Sequence, residues 1–309
     1  MIAVVCPGQG SQTPGFMLPW LELGSYSQAI DALANASDLD LRGFGTVSDA
    51  DTIRDTAVAQ PLIVAAGVAS LAALLDGKTA TESGVSGVAG HSVGEVTAAI
   101  ASGILSATDG INLVKARGNA MAAAAALEAT SMAAILGGDQ QVVEARLAEL
   151  GLEPANYNGG GQIVAAGSAA GISELQVSPP AGARVIPLQV AGAFHTRYME
   201  PAVATLAEYT KGLEISDPSL GIWSNNGGKS VATGSEFISL LVNQIKSPVR
   251  WDLTMAALVA AGVTALIEVS PGGTLVGLAK RSMPGVELVA LKTPENLEAA
   301  QALIRNHSN

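Results

Sequence analysis

Val85-Ser86-Gly87-Val88-Ala89-Gly90-His91-Ser92-Val93-Gly94-Glu95 is the stretch that decides the fold. A short apolar run ends in a glycine-bounded turn, and an alanine-rich helical stretch follows. The order reads as buried strand, tight turn, helix. The chain opens in a related way, with an apolar run at residues 2–5 leading into Pro7-Gly8-Gln9-Gly10-Ser11-Gln12. Near the other end, Val263 to Val269 predicts a strand, Ser270-Pro271-Gly272-Gly273 a turn, and Thr274 to Arg281 a helix. A further helix is expected after Gln60. Such alternation predicts an α/β protein with a parallel sheet covered on both faces.

The middle of the chain has a different grammar. Thr130 to Leu136 reads as a strand, and Asp139 is placed to cap a helix running to Leu150. Pro154 to Asn158 and Gln162 to Gly167 read as two strands joined across Gly159-Gly160-Gly161. A short helix near Gly171 to Leu175 and a strand from Arg184 to Val190 complete β-α-β-β-α-β, the split ferredoxin-like order. The expected organisation is therefore a large α/β domain, residues 1–127 and 194–309, interrupted by a small domain at 128–193.

Composition narrows the function classes. Hydrophobic residues make up 49% of the 309 positions and charged residues only 14%, which excludes a disordered chain. At 31.0 kDa the folded surface should be roughly 12,000 Å², large enough a change from the unfolded chain to dispense with disulfides or a metal staple. A net charge of −11 has the wrong sign for non-specific nucleic-acid binding. The lone Cys6 fits a reduced cytoplasm, and three histidines, at 91, 195 and 307, argue against a His-rich metal site. Thr56 to Leu75 is uncharged and long enough to cross a bilayer, but it contains Gln60-Pro61 and much Ala and Gly, so a buried core helix is expected. The N-terminus lacks the basic region of a signal peptide, and no membrane association is expected.

Gly90-His91-Ser92-Val93-Gly94 matches the G-x-S-x-G of a nucleophile elbow. At this glycine and serine content the pattern arises by chance about 0.3 times, so the strand before it and the helix after it carry the assignment. Without them it is an ordinary glycine-rich turn. The helix start offers the Val93 N–H to an oxyanion. A serine needs a base. His91 lies inside the elbow and should point away from Ser92, and His307 sits near the end of the chain. His195 remains, as base or as a partly buried histidine at the domain junction. No acidic third member announces itself. Leu113, Arg117 and Met121 share one helical face, so Arg117 on an apolar stripe needs either an internal acid or an anionic ligand. Gly8-Gln9-Gly10 lacks the lysine of a phosphate loop; it is a strand-exit turn that could add a second oxyanion donor.

With those residues in place, the sequence closely resembles malonyl-CoA:acyl-carrier-protein transacylases and the acyltransferase domains of fatty-acid and polyketide synthases. Pro7-Gly8-Gln9-Gly10-Ser11-Gln12, Gly90-His91-Ser92-Val93-Gly94-Glu95, Gly192-Ala193-Phe194-His195, Gln244 and Pro248-Val249-Arg250-Trp251 carry the resemblance, in order and nearly end to end. Ser270 stands where many relatives have glycine, outside the expected catalytic set. The resemblance implies an α/β-hydrolase-like large domain with a ferredoxin-like insertion. It implies Ser92 as nucleophile, His195 as base, and backbone N–H groups of Gln9 and Val93 at the oxyanion. The main-chain carbonyl of Gln244 would hold the imidazole, and Arg117 and Phe194 would contact substrate, with Arg117 on the malonyl carboxylate. Malonyl-CoA and acyl carrier protein are the implied partners, with no bound cofactor. The free-standing length suggests a discrete enzyme, which is expected to be cytoplasmic and monomeric. Because carrier proteins of this kind are strongly acidic, Lys280, Arg281 and Arg197 are candidates for a local basic docking patch.

Overall fold

The first strand, β1 (Ile2–Cys6), is buried at every position. Only a strand covered on both faces can be uniformly apolar in this way. The structure, a computed structural model, describes residues 1–307. The remaining strands are β2 (Gly87–Gly90), β3 (Thr130–Gly137), β4 (Glu153–Gly159), β5 (Gln162–Ser168), β6 (Ala183–Leu188), β7 (Gly221–Trp223), β8 (Val249–Arg250), β9 (Ala265–Glu268) and β10 (Glu287–Ala290). Its accessible surface, 11990 Å², matches the roughly 12,000 Å² expected for a compact chain of this mass.

Five strands form the large sheet in the order β10-β9-β1-β2-β7, and every pairing in it is parallel. In the register Cys6 lies opposite Gly90, and the His91 N–H donates to the Cys6 carbonyl at 2.9 Å. The exits of β1 and β2 are thereby brought side by side at the carboxyl edge of the sheet. This edge is where open α/β sheets bind ligands.

The second sheet has the order β6-β3-β5-β4-β8. Strands β3 to β6, with helices Gln140–Glu149 and Ala169–Val177, make the expected β-α-β-β-α-β unit. Asp139 caps the first helix by accepting from the N–H groups of Gln141 and Val142. One face of the sheet, with Ala133, Ile135 and Ile163, packs under those helices. Met132, Val164 and Ala166 on the other face join the main core. The fifth strand comes from outside the split unit: β8 pairs in parallel with β4, Asn156 opposite Val249 and Tyr157 opposite Arg250. The Arg250 guanidinium lies 4.5 Å from the centre of the Tyr157 ring. Where the chain passes into and out of the unit, the Ala193 N–H donates to Thr130 Oγ1 at 3.0 Å.

One boundary differs from the sequence expectation in a way that matters for the site. The core helix expected over the uncharged stretch Thr56 to Leu75 has those bounds, so the helical stretch expected after Gln60 starts four residues before it. Asp55 caps it through the Ala57 N–H, and Pro61, in the second turn, leaves out the one ladder bond that would reach the Ala57 carbonyl. Gln60 is thus a helical residue with a fixed direction. The helix is long and apolar enough to cross a membrane, yet 83% of its most apolar window is buried inside the protein. It is a core helix.

Candidate active site

Ser92 sits between β2 and the helix Gly94–Ala101 with φ of +53°, a left-handed conformation that costs a non-glycine residue about 1–3 kcal/mol. The flanking glycines make the turn possible. A Cβ on Gly90 would lie 2.0 Å from the Gly94 carbonyl carbon, and one on Gly94 would lie 2.1 Å from the Cys6 oxygen. Asn225 pins the turn from the side. Its Oδ1 accepts the Ser92 N–H at 2.8 Å and its Nδ2 donates to the Gly90 carbonyl at 2.7 Å.

His195 is also left-handed, with φ of +62°. Its Nε2 stands 2.7 Å from Ser92 Oγ and its Nδ1 stands 2.8 Å from the Gln244 main-chain oxygen. A carbonyl only accepts, so Nδ1 carries the proton and Nε2 presents its lone pair to the serine hydroxyl. The other two histidines are occupied elsewhere. His91 Nε2 lies 2.9 Å from Asn158 Oδ1, whereas His307 contacts Thr264 and Glu287.

Burial, reinforced by the positive charge of Arg117, pushes the His195 pKa down to about 3. The lowered value favours the neutral ring, so the form able to take a proton persists as pH falls. Pre-steady-state acylation should therefore show no acid limb from His195 between pH 8 and 5. An ordinary histidine would lose about 30-fold over the same range. An acid limb centred near 6.5 in the single-turnover rate would contradict this environment.

Arg117 lies on the helix Ala107–Ala125 and has no accessible surface. Its Nη1 donates to Gln60 Oε1 at 2.7 Å and its Nη2 to Gln244 Oε1 at 2.8 Å, while Nε has no partner. The sequence left open an internal acid or an external anion. The structure gives the direct hydrogen bonds to neutral amides, with the charge of buried Glu95 acting on Arg117 from behind them. Desolvation lowers the Arg117 pKa and raises that of Glu95, and each charge opposes the shift of the other. Gln60 and Met121 separate the guanidinium from a cleft of about 270 Å³.

That cleft opens at the carboxyl edge of the large sheet, under the inner face of the small one. Gln9, Ser92, Val93, Phe194 and His195 all line it. Among the described residues, the N–H groups of Gln9 and Val93 form no hydrogen bond. Gln244 and Arg117 adjoin the site from below. Sequence reasoning missed Asn225, Gln60 and the role of Glu95. Glu95 had a signal, an acid one turn beyond the elbow on an otherwise apolar helix start; the other two had none. No group of three or more His, Cys, Asp or Glu side chains suited to a metal ion occurs among the described residues.

A serine on a strained strand-to-helix turn, hydrogen-bonded to an oriented histidine, is the arrangement of enzymes that pass acyl groups through a covalent ester. The family described as acyl transferase domain matches residues 3–307. The malonyl CoA-acyl carrier protein transacylase of Mycobacterium tuberculosis is 46% identical over 303 residues, covering 96% of this chain and 98% of that protein. The crystal structure of MCAT from Mycobacterium tuberculosis superposes with a TM-score of 0.93 at 45% identity, covering 97% of this chain and 99% of that one. A type II PKS acyl-carrier protein in complex with its malonyl-transacylase gives a TM-score of 0.89 at 28% identity, covering 97% and 99%. The chain belongs to the acyl transferase family and, within it, to the malonyl CoA-acyl carrier protein transacylases.

Proposed function

We propose that the enzyme moves malonyl groups in two half-reactions through an ester on Ser92. His195 Nε2 takes the hydroxyl proton as Ser92 Oγ attacks the thioester carbonyl of malonyl-CoA. The oxyanion is stabilised by the N–H groups of Gln9 and Val93. It collapses with cleavage of the C–S bond; CoA leaves as a thiol with the proton from His195, and malonyl-Ser92 remains. The phosphopantetheine thiol of acyl carrier protein then gives its proton to His195 and attacks the ester carbonyl. Ser92 departs with that proton. The malonylated carrier supplies extender units for fatty-acid synthesis, polyketide synthesis or both. Atoms and charges balance without a metal or bound organic cofactor.

Arg117 receives the malonyl carboxylate, Gln244 holds Nδ1–H through its main-chain oxygen, and Phe194 provides an apolar wall. We assign residues 1–127 and 194–309 to the catalytic body and 128–193 to the insertion, a division supported by the confinement of β3 to β6 to the middle of the chain. All groups in these steps come from one chain, which favours a monomer. The buried, unpaired Cys6 favours the cytoplasm. The 2.7 Å contact between Ser92 and His195 on a strained elbow carries the reading.

Its test is to isolate the acyl-enzyme and add carrier protein. Rapid discharge to malonyl carrier is expected, with slow loss to water; discharge at the same rate without carrier would instead indicate a serine hydrolase. The same assay examines docking. Arg197 is paired with Glu153, so its charge is already answered. Lys280 and Arg281 are exposed in the last turn of Thr274–Ser282, whose first residues line the cleft. Reversing both charges should slow discharge to carrier and leave acylation by malonyl-CoA unchanged. Equal loss in both halves, or in neither, counts against the patch.

A further inference from the structure

Glu95 is a fully buried carboxylate that the proton transfers above do not use. Its Oε1 accepts the Asn225 N–H at 2.5 Å and its Oε2 accepts from Gln244 Nε2 at 2.5 Å. At the other end of the same amide, Gln244 Oε1 accepts from Arg117 Nη2. Gln244 Nε2 also lies 3.1 Å from the Ser92 carbonyl and 3.2 Å from Asn225 Oδ1, so the amide is an adaptor whose nitrogen faces acceptors only, Glu95 Oε2 the nearest, and whose oxygen faces a cation that only donates. Its orientation follows from that polarity. Swapping its O and N would set donor against donor at Arg117 and acceptor against acceptor at Glu95.

We propose that Glu95 is a positioning residue for acyl-group selection: it helps fix the Gln244 amide with oxygen toward Arg117, holding the guanidinium behind Gln60 and Met121 with donors left for a substrate carboxylate that displaces those side chains. The inference rests on the assignment of Arg117 to the malonyl carboxylate. Glutamine at 95 has nearly the same shape but reverses the logic. Its amide oxygen must face the Asn225 N–H, so its NH₂ meets the NH₂ of Gln244. That clash displaces the Gln244 amide, whose Nε2 still has the Ser92 carbonyl and Asn225 Oδ1 as acceptors, and loosens the hold of its oxygen on Arg117. The buried cation also loses its compensating charge.

The test is single-turnover acylation of Ser92 by malonyl-CoA and by acetyl-CoA in wild type, Glu95→Gln, Arg117→Ala and the double variant. Losing a hydrogen bond to a charged group corresponds to about ten- to a hundredfold, so Glu95→Gln should lose that much kcat/KM for malonyl-CoA and under about threefold for acetyl-CoA. Added to Arg117→Ala, it should change the malonyl rate little, because the group it positions is gone. A parallel fall for both thioesters, or an undiminished preference for malonyl, overturns the proposal. If Arg117→Ala alone leaves the preference intact, the assignment beneath it fails instead. Should Glu95→Gln fail to fold, Gln244→Leu addresses the same amide while keeping the main-chain oxygen that holds His195. It should lose malonyl preference likewise, and retained preference there also overturns the proposal.

Discussion

Wild-type protein mixed with malonyl-CoA should gain one malonyl group by intact mass, and Ser92→Ala should gain none. Alanine keeps the Cβ at the strained φ of +53°, so the elbow retains its backbone environment and only Oγ disappears. No neighbour can substitute for it. Ser11 Oγ donates to the Gly8 carbonyl, and Ser168 caps the helix Ala169–Val177 in the small domain. Removing a nucleophile that acts with its base as one unit costs on the order of a million-fold in turnover. His195→Ala should slow both half-reactions by at least about a hundredfold, the contribution of a general base. A malonylated peptide centred on Ser11, Ser168 or any serine other than Ser92 would refute the assignment.

Arg117→Ala should turn a malonyl-selective enzyme into an indifferent one. Malonyl and acetyl thioesters share the reacting carbonyl and differ by a remote carboxylate, so a cation near that group must discriminate between them. Arg117 is fully buried and retains N–H donors beyond the two given to Gln60 and Gln244. Removing one member of a buried, hydrogen-bonded charge pair costs about 2–5 kcal/mol, or roughly 30- to several-thousand-fold in kcat/KM. Malonyl-CoA should lose that factor. Acetyl-CoA should lose little, because no charge on it awaits an answer. Alanine also leaves Glu95 without its opposite charge, and the acetyl rate controls for any loss of fold. Lysine at 117 should rescue only in part, lacking the planar fork. A parallel fall of both substrates would make Arg117 structural.

The elbow was legible because its causes are local: Gly90 and Gly94 permit close approaches within a few residues of Ser92. The split unit was legible for the same reason, with Asp139 capping a helix between two apolar runs. His195 followed by elimination among three candidates. The supports were not legible. Asn225 reaches Ser92 across 133 positions and Gln60 reaches Arg117 across 57, and neither has a distinctive neighbourhood. Gln244 was recognised only through family resemblance, since a main-chain carbonyl leaves no mark on side-chain chemistry.

The short strand β8 limits how the cleft can change shape. It stitches the roof of the cleft to the floor only a few residues after Gln244, and the Ala193–Thr130 contact clasps the two crossings of the chain. A roof anchored at both margins cannot swing as a hinged flap without dragging on the carbonyl that orients His195. The two thiols served in succession, of CoA and of the carrier, arrive on the same phosphopantetheine arm. A cleft on a fixed backbone frame suits that traffic: the arm is exchanged, and the adjustment falls to side chains such as Gln60 and Met121, which stand between the cleft and Arg117.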